Sequence, residues 1–181
     1  SEEDDAWAYA WVMETLAAAD YEHYEVSNFA RPGYRSRHNW GYWHGADYLG
    51  VGLSAHSLVA GRRHWNRRSV RAYLQAVETS SSACEGEEIV TPAAARQERL
   101  WLQLRTCDGV ALQTQALVRL CAAEKFQAML TAGWVTLEAA QLRLTPAGFL
   151  LADAIDVEVV TLLEESGGSR AAVAQSDTPV S

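Results

Sequence analysis

Apolar and polar positions change period several times along the 181 residues. Between Ala6 and Ala19, Trp7, Trp11 and Leu16 recur among alanines and predict a helix. The acids Glu2 to Asp5 precede them, where a helix dipole favours negative charge. Tyr24 to Ser27 predicts a short strand. A helix leading straight into a strand is half of a βα repeat, so the chain is expected to begin inside a larger α/β structure. Arg31-Pro32-Gly33 predicts a turn. Residues 34–46 show no period and predict an irregular, aromatic-rich loop, and Asp47 to Gly52 predicts a strand ending in glycines. Ser57 to Trp65 predicts a hairpin around Ala60-Gly61. Ser69 to Val77 predicts a helix with Val70, Tyr73, Leu74 and Val77 on one face.

Thr79 to Glu88 is polar and predicts a connector, which makes 79–89 the best internal boundary. Thr91-Pro92 is a strong helix start, with a capping hydroxyl and proline in the first turn. That helix is expected to reach about Arg105, with Asp108-Gly109 as the stop. Two more helices follow, at about 113–122 and 124–132, then a strand, tight turn and strand after Gly133. Thr145-Pro146 caps a last helix expected to reach about Leu163. Helix, helix, hairpin, helix is a winged-helix-like order. The pattern divides the chain into 1–78, an α/β fragment; 79–89, the connector; 90–163, a mostly helical, winged-helix-like domain; and 164–181, a small, polar, aperiodic tail expected to be disordered.

About half the residues are apolar, enough for a sizeable core. The net charge of −8 is unevenly spread: residues 31–71 hold eight arginines against Asp47 alone. Such a basic block suits an anionic ligand or an acidic partner, or it pairs with the acidic segments around it. Cys84, Cys107 and Cys121 form no close pair, so local spacing supports no zinc ribbon, iron–sulfur cluster or covalently held haem. Cys107 and Cys121 fall in helical patterns and are expected to be packed thiols. No apolar run is long enough for a transmembrane helix, and the acidic start has the wrong charge for a signal peptide. A cytoplasmic location is expected.

The chemistry concentrates in Tyr24 to His56, which holds three of the five histidines. His38-Asn39-Trp40-Gly41-Tyr42-Trp43 combines a metal-ligating imidazole, an amide and flat rings. That mix suits a flat, metal-bearing ligand better than a bare hydrophobic core. A loop whose histidine and aromatics merely pack the end of a barrel remains the plain alternative.

At these residues the chain resembles a family. Tyr24-Glu25-Val26-Ser27-Asn28-Phe29-Ala30-Arg31-Pro32-Gly33 is similar to the YEISNFAxPG segment of HemW-type radical SAM proteins, relatives of oxygen-independent coproporphyrinogen III oxidase. Arg37-His38-Asn39 with Tyr42-Trp43 resembles their RHNxxYW signature. Asp47 to Gly52 followed by Ser54-Ala55-His56-Ser57 resembles their DYLGIGPGAHS, with Leu53-Ser54 in place of Pro-Gly, an ordinary turn where the family has a side-chain-free one. Leu104-Arg105 before Asp108-Gly109, then Gly133-Trp134, Leu142 to Thr145 and Gly148-Phe149 agree as well. The resemblance covers about residues 6–160.

The resemblance implies the end of a radical SAM partial barrel joined to the family's C-terminal helical domain. It implies a haem-binding, haem-chaperone-like function in porphyrin and haem metabolism, with His38 as the iron ligand, Asn39 on the imidazole or a propionate, and Tyr42 and Trp43 stacked on the porphyrin. It also implies a SAM or substrate site near Asn28, Arg31 and His56. Arg62, Arg63, Arg67 and Arg68 are candidate receivers of porphyrin carboxylates, a solvated hairpin tip being the alternative. The family's SAM and 4Fe–4S cluster need a CxxxCxxC motif that this chain lacks, so radical SAM activity is not expected of it alone. Coproporphyrinogen oxidase is the alternative function, and haem-accepting proteins are implied partners. A DNA-binding winged-helix module is a further reading, but residues 110–160 carry three basic against five acidic side chains, which argues against nucleic acid.

Overall fold

The computed structural model describes residues 2–79 and 81–164. The chain opens on helix α1 (Glu2–Ala18), a hairpin β1 (Glu22–Glu25) and β2 (Asn28–Ala30), and a short helix α2 (Arg37–Trp43). Strands β3 (His56–Val59) and β4 (Arg62–Asn66), helix α3 (Val70–Glu78) and strand β5 (Cys84–Ile89) follow. Helix α4 (Pro92–Leu104), strand β6 (Val110–Ala111), helices α5 (Thr114–Ala122) and α6 (Glu124–Thr131), the hairpin β7 (Val135–Glu138) and β8 (Gln141–Leu144), and helices α7 (Pro146–Phe149) and α8 (Ala152–Glu164) complete it. The strands make three small antiparallel sheets, ordered β1-β2, β3-β4-β5 and β6-β8-β7. The architecture is one of mixed helices and small sheets.

Local chemistry explains most boundaries. Ser69, Thr91 and Thr145 each accept a backbone amide three residues on and so cap α3, α4 and α7. The two-residue turns at Ala60-Gly61 and Ala139-Ala140 take positive φ at both positions, as tight hairpins require. The core lies in the second half. Leu104, Leu120, Phe126, Val135, Leu142, Ile155 and Val159 are buried together, and Met13 of α1 joins the same cluster.

Several expectations are corrected. Residues 34–46 are not irregular throughout: Ser36 accepts the Asn39 amide and starts α2. Poor helix formers hid it, and packing of Trp40 against Tyr24 supplies what propensity lacks. Asp47 to Gly52 is not a strand. Only Tyr48 pairs, with Leu58, and Gly50 approaches the His56 backbone so closely that a Cβ would lie 2.0 Å from its carbonyl oxygen. Asn28–Ala30 gains a strand through the turn that Glu25 secures. Residues 84–89, expected within a polar connector, pair with β4 as β5, held partly by Arg62–Glu87 and Arg63–Glu88.

The last helix divides at Leu150-Leu151, where Gly148 packs against the Trp134 carbonyl. Cys121 is exposed rather than packed. Ser54 does not make an ordinary turn: its φ is 58°, the left-handed region that glycine favours. The apolar stripe of α3 exists but faces outward, Val70, Leu74 and Val77 all being exposed. The tail from 165 on lies outside the described residues.

Candidate functional site

Helix α2 organises the site because three i, i+4 pairs point its side chains three ways. Trp40 and His44 form the anchoring pair, with ring centroids 4.4 Å apart and His44 Nδ1 2.9 Å from the Trp40 carbonyl oxygen. The Arg35 guanidinium lies 4.9 Å from the centre of the Trp40 ring, while its Nε donates to Glu22 at 2.8 Å. That bond to Glu22 is the main cause raising the Arg35 pKa. Gly45, at φ 70°, then ends the helix in a left-handed cap.

His38 and Tyr42 form the second pair, meeting edge to face at 4.8 Å. Tyr42 in turn packs on Tyr48 at 4.4 Å. His38 is exposed, and among the described residues its imidazole has no hydrogen-bond partner. It borders a small hollow of about 180 Å³ together with Arg37, Tyr42 and Tyr48.

Asn39 and Trp43 form the third pair and line a cleft of about 840 Å³ between α2 and α4. A volume of several hundred Å³ is the range of small-molecule sites. Tyr42 borders both spaces. Asn28 reaches the cleft from β2, and Glu25 and Ser27 reach it from the hairpin beside it. Helix α4 contributes Glu98, Arg99 and Trp101.

The structure therefore gathers Asn28, Asn39, Tyr42 and Trp43 around one cleft and sets His38 at its neighbour. It does not bring Arg31 or His56 to either. Arg31 is exposed with its guanidinium 5.6 Å from the Tyr21 ring centre, and His56 stacks on Trp65 across the β3–β4 pair. Of the four candidate arginines, Arg62 is held by Glu87 and Arg63 by Glu88 and Glu98. The Glu98 bond is the main cause raising the Arg63 pKa.

Sequence reasoning missed Glu25, Tyr48 and Trp101. Glu25 carried a usable signal: a carboxylate inside a short apolar strand needs a reason to be there. Behind the cleft, burial first and the Glu25 charge second push the Tyr9 hydroxyl up to about 12. That hydroxyl donates to the Val26 carbonyl and lies 3.2 Å from His23 Nε2. Burial holds the His23 pKa below its ordinary value.

Among the described residues no three His, Cys, Asp or Glu side chains converge as a metal site. No helix among them is long and apolar enough to cross a membrane.

No family model matches the chain. It is 36% identical over 157 residues to the heme chaperone HemW of Mycobacterium tuberculosis, covering 84% of this chain and 39% of that protein. It is 38% identical over 113 residues to the heme chaperone HemW of Lactococcus lactis, covering 62% of this chain and 29% of that protein. Against these relatives the chain thus spans well under half of their length. Among solved structures it matches coproporphyrinogen III oxidase (HemN) from Escherichia coli, described as a radical SAM enzyme, with TM-score 0.60 and 17% identity over 83% of this chain and 39% of that one. At that identity the likeness shows the fold alone.

Proposed function

We propose that this chain, a member of the HemW- and HemN-like radical SAM family that matches its C-terminal part, binds haem non-covalently beside helix α2 as part of a haem-chaperone-like function. The observation that carries the reading is the His38–Tyr42 pair. An exposed imidazole without a hydrogen-bond partner among the described residues stands next to an aromatic-walled cleft large enough for a sizeable flat ligand. Imidazole is a common axial ligand of haem iron. His38 would hold the iron, and Tyr42 and Trp43 would bear on the macrocycle. Asn39 and Arg99, both on the cleft lining, would meet polar substituents. Bound haem would be the cargo, and the protein's own part is to ligate it, shield its faces and release it to an accepting protein.

Two finer points belong to the same reading. Helix α1 and the β1–β2 hairpin are the end of a radical SAM barrel, supported by the match to HemN. Residues 90–163 form a mostly helical, winged-helix-like domain, supported by the order α5, α6, β7–β8, α7, α8. SAM and a 4Fe–4S cluster are proposed for the family's longer proteins, with their cluster ligands outside this sequence.

Haem titration followed by the Soret band tests the function. The unsubstituted protein is expected to sharpen and shift the band, and His38→Ala to weaken binding at least tenfold. Tyr42→Ala should cost less, because an aromatic contact contributes about 0.5–1.5 kcal/mol beyond area burial. Haem binding that His38→Ala leaves unchanged would remove His38 as ligand, and no haem binding at all would remove the function.

A further inference from the structure

The cleft holds a carboxylate that its own fold leaves half satisfied. Glu25 is 0% exposed, yet it lines the cleft. Its Oε2 accepts the Ser27 amide at 2.9 Å, whereas its Oε1 is buried with no hydrogen-bond partner among the described residues. A buried carboxylate oxygen without a donor is costly, and a charge-assisted bond from a cationic N–H is the strongest remedy.

The surroundings select the shape of that cation. Tyr42, Trp43 and Trp101 line the same cleft with aromatic rings. A planar guanidinium or amidinium stacks on such rings while it donates in its own plane, and a compact ammonium does not. The arginines on the lining leave the place open. Arg63 is engaged by Glu88 and Glu98, and Arg99 is exposed. The other acids nearby are occupied too: Glu98 by Arg63, and Asp47 by the Ala60 amide at 3.0 Å.

We infer that the cleft contains a subsite for a planar organic cation, a guanidinium or amidinium group that donates to Glu25 Oε1 and lies against the aromatic walls. The group belongs either to an arginine side chain of a bound polypeptide or to a small amidine or guanidine. The subsite shares the Tyr42 and Trp43 walls with the proposed haem site but not its iron ligand, His38, which borders the neighbouring hollow.

Isothermal titration with benzamidine, with benzyl alcohol as its neutral counterpart, tests the subsite in the unsubstituted protein. Benzamidine is expected to bind at least tenfold more tightly than benzyl alcohol. Glu25→Gln keeps an acceptor for Ser27 and removes the charge, and it should weaken benzamidine at least tenfold while circular dichroism shows the native spectrum. Benzamidine binding is read by calorimetry and haem binding by the Soret band, so loss of the haem reading and loss of this one are separate results. An arginine-bearing peptide that outcompetes benzamidine would make polypeptide the source, and the reverse order a small molecule; both uphold the subsite. Equal affinity for benzamidine and benzyl alcohol, or a folded Glu25→Gln that binds benzamidine as well as the original, would overturn it. The comparison of the two probes needs no variant, so it decides the matter even if Glu25→Gln does not fold.

Discussion

Arg105 Nε donates to the buried Oδ2 of Asp156 at 2.6 Å and thereby ties the end of helix α4 to helix α8. The same guanidinium reaches Asp153 at 2.6 Å, and the Arg105 carbonyl accepts the Val26 amide at 2.9 Å. One residue thus joins the C-terminal core to the hairpin beside the cleft.

Removing the cation should therefore unsettle both halves. Asp156 is 0% exposed, and its Oδ1 already has no partner among the described residues. Breaking a buried pair by deleting one member leaves a charge without compensation, at a cost of about 3–5 kcal/mol. Arg105→Ala is expected to destabilise by about 3 kcal/mol in urea unfolding, since Arg105 itself is partly exposed. Removing both, as Arg105→Ala with Asp156→Ala, should cost less than the sum of the single changes. Strict additivity would show that the pair contributes nothing as a pair.

The same carboxylate gives stability a pH dependence of definite sign. Burial pushes the Asp156 pKa up to about 6, against an attraction from Arg105 that lowers it. The folded protein therefore holds this proton more tightly than the unfolded chain does. The ionised carboxylate costs stability above about pH 6, and that cost disappears as pH falls toward 4. Urea midpoints of the protein and of Asp156→Asn, compared at pH 4, 5, 6 and 7, should move in the protein's favour as pH drops. A difference that stays constant across that range contradicts the shift.

The β7–β8 turn offers a gain. Ala139 and Ala140 sit at φ 48° and 66°, where a side chain is strained. Asn-Gly is the pair that such turns prefer. Ala139→Asn with Ala140→Gly should stabilise by about 1 kcal/mol and raise Tm by several degrees in a thermal melt. A lowered Tm would mean that the turn conformation differs from the one described.

Much of the fold is legible in the sequence wherever local chemistry and periodicity agree. Thr91-Pro92, Ser69 and Thr145 announce helices, because a capping hydroxyl followed by a suitable first turn needs no distant partner. Ala60-Gly61 announces a hairpin for the same reason. The aromatic loop motif likewise singles out Asn39, Tyr42 and Trp43 before any coordinates exist.

Tertiary structure alone decides the rest. The seven residues of α2 are too short to be helical by themselves, and Trp40 holds them through the neighbouring Arg35 and through Tyr24, which is distant in sequence. Strand β5 looks polar because it is an edge whose acids answer the arginines of β4, a pairing invisible until the two are aligned. The split between His38 and the cleft arises from the 3.6-residue turn, which sends adjacent positions 38 and 39 to different faces. Sequence names the residue types that carry chemistry. Packing between segments decides which of them share a cavity, since Glu25 and Trp101 meet there only through the approach of a hairpin and a helix 76 positions apart.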